Sequence, residues 1–88
     1  MADSQIYEVF LLPISSKELE KLPKKTKQQI KGFLTNFRRP DQISSKKMKG
    51  VENTYRTRIG NYRILFKIYT DEHVVVIIKI AHRKQVYR

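Results

Sequence analysis

The sequence predicts an α+β fold in the order β-α-α-β-β-β, with a two-helix hairpin packed on one face of a four-stranded sheet. Segments 5–12, 54–68 and 74–80 are rich in β-branched and aromatic residues, which favour strands. Segment 24–37 instead repeats its apolar residues at helical spacing. A Gly-Asn pair at 60–61 divides the middle segment into two strands, so the last three strands form an antiparallel meander.

The N-terminal strand is predicted over 5–12, and Pro13 ends it. The next residues, Ser-Ser-Lys-Glu at 15–18, have the pattern of a capping box. In that arrangement Ser15 caps a helix, and Glu18 accepts a hydrogen bond from the Ser15 amide. We therefore expect a short first helix over residues 16–22.

The second helix is predicted over 24–37, because its apolar residues recur at i, i+3, i+4 and i+7. These residues are Ile30, Phe33, Leu34 and Phe37. Pro23 separates the two helices and suits the first turn of the second one. The lysines and glutamines on the other faces are typical of the solvated side of an amphipathic helix.

The hairpin predicted over 54–68 carries arginines on its polar face. Alternation along the first strand places Arg56 and Arg58 on one side, and Arg63 falls among the polar positions of the second strand. If the two polar faces coincide, three guanidinium groups point from one patch of the sheet. The strand over 74–80 is a dense run of valine and isoleucine, which predicts a central place in the sheet under the helices.

Composition limits the class of protein. A chain of 88 residues suffices for a single domain over 1–88. It has no cysteine and only two histidines, so a disulfide framework and a thiolate metal site are excluded, and no cofactor or metal is expected. No apolar run is long enough to span a bilayer, and the N-terminus lacks the apolar segment of a signal peptide. We therefore expect a cytoplasmic protein with no membrane partner.

The formal charge of +11, from 19 Lys and Arg against 8 Asp and Glu, indicates a polyanionic partner such as nucleic acid. The alternative is a positive face that an acidic protein neutralises. Much of the excess lies late in the chain, in the segment 46–50 before the hairpin and in the C-terminal tail. The candidate RNA contacts there are Lys46, Lys47, Lys49, His82, Lys84 and Arg88. Segment 46–50 could equally be a solvated loop.

The chain offers none of the usual catalytic constellations. It has no evident acidic pair, no Cys–His pair, no nucleophile elbow and no Gly-rich phosphate loop. Its arginines can still stabilise the charge that builds on a phosphodiester during in-line attack. RNA supplies its own nucleophile, the 2′-hydroxyl, and Tyr87 could stack on a base. Because arginine is a poor general base, residue types alone leave open both a nuclease and a plain RNA-binding module.

Four short motifs carry a family resemblance. They are Met-Lys-Gly at 48–50, Tyr-Arg-Thr-Arg at 55–58, Gly-Asn-Tyr-Arg at 60–63 and His-Arg-Lys-Gln-Val-Tyr at 82–87. With these motifs and its order of elements, the chain resembles the RelE toxins of bacterial and archaeal toxin–antitoxin systems over nearly its whole length. The resemblance implies a RelE-like fold and a ribosome-dependent mRNA endoribonuclease that cuts the codon in the A site and inhibits translation.

By the same resemblance, the catalytic residues are Arg56, Arg58, Arg63, Arg83 and Tyr87. Arg63 and Arg83 would contact the scissile phosphate, and Arg83 would also assist the leaving oxygen. Tyr87 would stack on the target base. No metal enters this scheme.

The best-known RelE toxins carry lysines where Arg56 and Arg58 stand here. A lysine with a depressed pKa is the easier proton acceptor, so the general base is open among Lys49, His82 and a water molecule. The resemblance also implies partners: a RelB-like antitoxin, the ribosome with its mRNA, and promoter DNA bound only through the toxin–antitoxin complex. A different class stays open, because ParE toxins share this fold and inhibit DNA gyrase without catalysis.

Overall fold

The computed structural model describes residues 6–82 and residue 84. Its strands are β1 (Glu8–Leu11), β2 (Lys46–Lys47), β3 (Thr54–Ile59), β4 (Tyr62–Tyr69) and β5 (Val74–His82). Its helices are α1 (Pro13–Glu20) and α2 (Lys24–Leu34), followed by 3-10 helices at Thr35–Arg38 and Pro40–Gln42. The predicted α+β class and order of the major elements are confirmed. The first helix starts three residues earlier than predicted, and the last turn predicted for the second is a 3-10 helix.

The strands form one sheet in the order β1-β5-β4-β3-β2. β1 runs parallel to β5, and the other neighbours are antiparallel. The described sheet has five strands rather than the predicted four, because Lys46 and Lys47 pair with β3 as the short strand β2. Two consecutive lysines show no alternation of apolar and polar residues, so no strand could be predicted there.

The core lies between the helices and one face of the sheet. Its fully buried apolar side chains come from both layers: Ile30 and Phe37 from the helical side, and Ile64, Phe66, Val75 and Ile77 from the sheet. The rings of Phe37 and Phe66 meet edge to face with centroids 4.8 Å apart. Such a geometry adds about 0.5–1.5 kcal/mol beyond the burial of the two rings. The face of the sheet opposite the helices is called the outer face below.

A β-bulge adjusts β5 to this core. The β4–β5 register shifts between Leu65 and Phe66 and leaves Ile78 without a partner on β4. In a regular strand Ile77 and Ile80 would point to opposite faces, because they are three residues apart. The extra residue turns both toward the helices, where they are buried.

The prediction of a capping box at 15–18 is wrong. α1 begins at Pro13, and its N-cap residue Leu12 makes no side-chain hydrogen bond. Ser15 is fully buried, and its Oγ lies 2.7 Å from the carbonyl oxygen of Ile77 and 2.9 Å from that of Leu12. Its proton is therefore shared between a carbonyl of β5 and one at the start of the helix.

Glu18 fixes the same helix to the far part of β5. β1 pairs with β5 only as far as Ile77, so the next part of that strand edge lacks a backbone partner. Glu18 Oε1 accepts a hydrogen bond from the N–H of Ile80 at 2.8 Å, and Oε2 accepts one from Lys79 Nζ at 2.7 Å. The serine and the glutamate lie three residues apart on one side of α1. Ser15 supplements the hydrogen bond from the N–H of Leu12 to the carbonyl of Ile77, and Glu18 takes the place of the missing strand partner at Ile80.

β1 forms the opposite edge of the sheet from β2. The N–H of Glu8 donates a hydrogen bond to the carbonyl oxygen of His73, next to the start of β5, at 2.9 Å. Because successive N–H groups of a strand point to opposite sides, those of Val9 and Leu11 point away from the sheet. This edge is also apolar, since Phe10 is 51% exposed and Ile6 is 45% exposed.

Among the residues that the structure describes, no helix combines the length and the apolar character that a membrane span requires.

We expect the substitution Glu18→Ala to destabilise the fold by about 1–3 kcal/mol, because it leaves the partly buried N–H of Ile80 without an acceptor. In a domain of this size such a loss lowers the melting temperature by about 4–8 °C per kcal/mol. Thermal and urea unfolding followed by circular dichroism measure the change. Glu18→Gln keeps an oxygen acceptor and should retain most of the stability.

Glu20→Ala is the matched control, since Glu20 lies on the same helix and forms exposed ion pairs with Lys27 and Lys31. Exposed ion pairs contribute little to stability, so its melting temperature should stay close to that of the parent protein. Equal losses in Glu18→Ala and Glu20→Ala would contradict the role assigned to the hydrogen bond on Ile80.

Candidate functional site

The β3–β4 hairpin has the predicted turn and places its arginines on one face. Gly60 in the turn adopts φ +57, a region that favours glycine. Arg58 lies directly opposite Arg63 across the two strands. Directly opposite residues of an antiparallel pair project from the same face, so these two guanidinium groups share the outer face. Arg56 is two residues from Arg58 on β3 and therefore points the same way.

Lys46 joins this face from β2, where it pairs directly with Arg56. A cleft of about 290 Å³ lies among these side chains. Its lining residues are Ser44, Ser45, Lys46, Arg56, Thr57, Arg58 and Arg63. We call it the arginine cleft.

The arginine cleft contains two like-charge pairs, Lys46 with Arg56 and Arg58 with Arg63. Like charges placed directly opposite each other destabilise an antiparallel pair. Within residues 6–82 and 84, none of the four side chains forms an ion pair with a carboxylate. The arrangement therefore suits an external anion, and arginine binds phosphate oxygens through two parallel hydrogen bonds.

Thr57 fixes one wall of the cleft. Its side chain is buried, and its Oγ1 donates a hydrogen bond to the carbonyl oxygen of Ser44 at 2.8 Å. This bond holds the segment that leads into β2, and with it Lys46, against β3. Alternation along the strand places Thr57 on the side opposite Arg56 and Arg58 and by itself indicates no other role. A threonine between two arginines was the available signal, but its acceptor lies 13 residues away in sequence.

The two acidic residues of α1 form ion pairs away from the arginine cleft. Glu18 pairs with Lys79, and Glu20 pairs with Lys27 and Lys31. A hydrogen bond from Lys27 and the charges of both lysines lower the pKa of Glu20. No group of three His, Asp or Glu side chains in the described part of the chain could hold a metal ion. The chemistry available to the arginine cleft is that of cationic groups and hydrogen-bond donors.

The other lysines of segment 46–50 are placed differently. Lys47 pairs with Tyr55 and so projects from the face opposite Lys46. Lys49 is exposed and borders a separate hollow of about 290 Å³ at the sheet edge, which Arg56 also lines. Of the three lysines predicted to contact RNA here, the structure brings one into the arginine cleft.

The tail residues fall partly outside the described chain. His82 pairs with Tyr62, the neighbour of Arg63, and therefore lies on the opposite face from that arginine. Its ring meets that of Tyr62 edge to face at 5.2 Å, and its Nδ1 accepts the N–H of exposed Lys84 at 3.1 Å. The predicted site residues Arg83, Tyr87 and Arg88 lie outside the described residues.

Comparison with known proteins gives the family. Residues 9–87 match the model of the ParE toxin of the type II toxin-antitoxin system parDE. RelE1 of Methanocaldococcus jannaschii is 33% identical over 76 residues, which cover 82% of this chain and 84% of the relative. A chain of the toxin–antitoxin complex RelBE2 from Mycobacterium tuberculosis superposes with a TM-score of 0.78 at 26% identity, covering 89% of this chain and 99% of that one. The isolated RelE toxin of E. coli shares the fold, with a TM-score of 0.74 at 22% identity, covering 86% of this chain and 83% of that one.

One sheet, two helices on one face of it and a basic hairpin thus form the fold of a known class of toxin. This chain belongs to the ParE toxin family of type II toxin–antitoxin systems. Relatives in sequence from Methanocaldococcus jannaschii and Mycobacterium tuberculosis carry the RelE name, which confirms the resemblance seen in the motifs. The protein is a RelE-like toxin of a type II system.

We expect Thr57→Val to weaken anion binding without changing the net charge, because it removes the hydrogen bond that holds Ser44 and the wall bearing Lys46. The fold should lose about 0.5–1.5 kcal/mol, the usual net contribution of one hydrogen bond. Elution from heparin–agarose at lower salt, measured beside urea unfolding, tests both effects. Thr57→Ser keeps the hydroxyl and should elute like the parent protein. Equal elution of Thr57→Val and the parent would contradict the positioning role.

Proposed function

We propose that this toxin is a ribosome-dependent mRNA endoribonuclease, acting in the cytoplasm on the codon in the A site and thereby inhibiting translation. The observation that carries the proposal is the direct pairing of Arg58 with Arg63 on the outer face, without a carboxylate partner in the described chain. Two guanidinium groups side by side suit a phosphodiester whose charge increases in the transition state. Family membership supports the same proposal, since the relatives in sequence include RelE toxins.

The reaction follows from the chemistry of RNA. The 2′-oxygen attacks the adjacent phosphorus while the bond to the 5′-oxygen breaks, which leaves a 2′,3′-cyclic phosphate and a 5′-hydroxyl. Arg58 and Arg63 would stabilise the phosphoryl oxygens, and each such preorganised donor can lower the barrier by about 3–4 kcal/mol. Arg83 would contact the scissile phosphate and donate a hydrogen bond to the leaving oxygen, which takes its proton from water, and Tyr87 would stack on the base at about 1–3 kcal/mol, as the RelE resemblance implies.

The proton of the 2′-hydroxyl needs an acceptor other than arginine. His82 lies on the face opposite Arg63, whereas Lys49 borders the hollow beside Arg56. This geometry favours Lys49 or a water molecule over the histidine. Lys46, Lys84 and Arg88 would contribute phosphate contacts along the RNA, whereas Lys47 projects from the face opposite Lys46.

A RelB-like antitoxin is the proposed partner. Solved structures similar to this chain include RelB–RelE complexes from Methanococcus jannaschii and Pyrococcus horikoshii. An acidic, partly disordered segment would bind a surface of charge +11 and fold on it. Promoter DNA would be contacted only through that complex.

Expression of the protein without an antitoxin should arrest growth and produce new mRNA ends within ribosome-bound codons. Arg63→Ala with Arg83→Ala should abolish both effects, because it removes two of the groups assigned to the scissile phosphate. Growth curves and mapping of 5′-hydroxyl RNA ends make the measurement. Arg38→Ala with Arg39→Ala, an equal change of charge at exposed positions outside the cleft, should remain toxic. Full toxicity of the Arg63 and Arg83 double variant would refute the assigned site.

A second candidate is inhibition of DNA gyrase, which the match to a family described by its ParE toxin favours. In that case the outer face would dock on a protein. Growth arrest would then come with DNA damage and intact mRNA, so the same expression experiment separates the two. A plain RNA-binding module would bind RNA but leave growth unaffected.

A further inference from the structure

We propose that the arginine cleft holds two consecutive phosphodiesters of single-stranded RNA, one at Arg58 and Arg63 and its neighbour at Lys46 and Arg56. This inference rests on the proposed function, because it takes RNA as the ligand. It adds a second phosphate subsite, built by β2, to the scissile site. It also separates Lys46 from the neighbouring lysines as the one that completes this subsite.

The strand register supplies the first argument. Each cation pair is directly opposed across neighbouring strands, Lys46 with Arg56 and Arg58 with Arg63. Opposed Cβ atoms lie about 4.5–5.5 Å apart, so the two long side chains of a pair can converge on one anion. Both pairs are unfavourable while no anion lies between them, since like charges opposed across strands repel. Two such pairs in one cleft indicate two anions.

The spacing supplies the second argument. Arg56 and Arg58 are two residues apart on β3, which is about 7 Å along the strand. The pairs also straddle successive strand gaps, so their midpoints are about 8 Å apart. Flexible lysine and arginine side chains can adjust this separation to that of neighbouring phosphates on an extended RNA strand. Two separate anions could bind to cation pairs that lie far apart, so the closeness of these two pairs favours linked phosphates.

The cleft itself supplies the third argument. Its volume of about 290 Å³ exceeds that of one phosphate group, and its lining spans both pairs. Ser45 also lines it beside Lys46 and offers a hydroxyl donor to the second phosphate. The hydrogen bond from Thr57 to Ser44 holds this wall in place. By contrast, Lys47 pairs with Tyr55 and leaves from the other face of the sheet.

The test uses 2′-O-methyl trinucleotides, which have two internal linkages and no nucleophile. One version carries two phosphodiesters, and two others carry a neutral methylphosphonate at either the first or the second linkage. Affinity is measured by competition against a fluorescent 2′-O-methyl hexanucleotide. The parent protein should lose several-fold in affinity for either neutralised version. Lys46→Ala should bind the charged trinucleotide several-fold more weakly and become insensitive to one of the two substitutions.

The salt dependence gives an independent readout. Lys46→Ala should reduce the slope of log affinity against log salt for the hexanucleotide by about 0.7, the value of one phosphate contact on a single strand. Lys47→Ala should keep sensitivity to both linkages. Lys25→Ala, an equal loss of charge at an exposed position of α2, should keep both the slope and the affinity. Lys46→Gln serves as a second variant if alanine disturbs the short strand.

The second subsite would be refuted if Lys46→Ala kept sensitivity to both linkages, or if Lys46→Ala and Lys25→Ala weakened binding equally. That result would leave the proposed function standing, provided that Arg63→Ala still weakened binding and the Arg63 and Arg83 double variant still lost toxicity. If Arg63→Ala bound every trinucleotide as the parent does, the assigned RNA site itself would fail.

Discussion

A slip of one residue between β3 and β4 would turn the guanidinium groups of the hairpin toward the core. The register that prevents this is set by the two-residue turn, where Gly60 adopts φ +57, and by burial of Ile64 and Phe66 on the opposite face. Apolar burial on one side of the hairpin thus determines where charge lies on the other. The opposition of Arg58 and Arg63 follows directly from this register.

The arrangement of charge is unfavourable by itself, so the rest of the fold must compensate for it. Two like-charge pairs lie on neighbouring strands, and the compensation comes from the core beneath them and from the edge contacts of β5. Ser15 adds a second donor to the carbonyl of Ile77, which the N–H of Leu12 also reaches, and Glu18 satisfies the N–H of Ile80 beyond it. The pairing of Glu18 with Lys79 also neutralises a cation on the strand next to the hairpin. The contacts of β5 therefore stabilise the fold that holds the like-charge pairs of the arginine cleft in place.

The periodicity of apolar residues predicted those helices and strands whose pattern is contained in one short segment of the sequence. Alternation gave the hairpin and placed Arg56, Arg58 and Arg63 on one face, because a tight turn leaves few choices of register. The role of Ser15 was misassigned because its partner, the carbonyl of Ile77, is 62 residues away. The strand β2 and the bond of Thr57 depend in the same way on distant partners. Patterns within a short window carry no information on such contacts.

The two edges of the sheet have opposite chemistry, and this affects how the protein behaves in concentrated solution. At one edge, Lys46 and Lys47 discourage another strand from pairing. At the other, Val9 and Leu11 present outward backbone N–H groups beside exposed Phe10, without such protection. Long-range repulsion between molecules of charge +11 then limits association through this edge. Because salt screens that repulsion, the colloidal stability of the isolated toxin depends on ionic strength as well as on its fold.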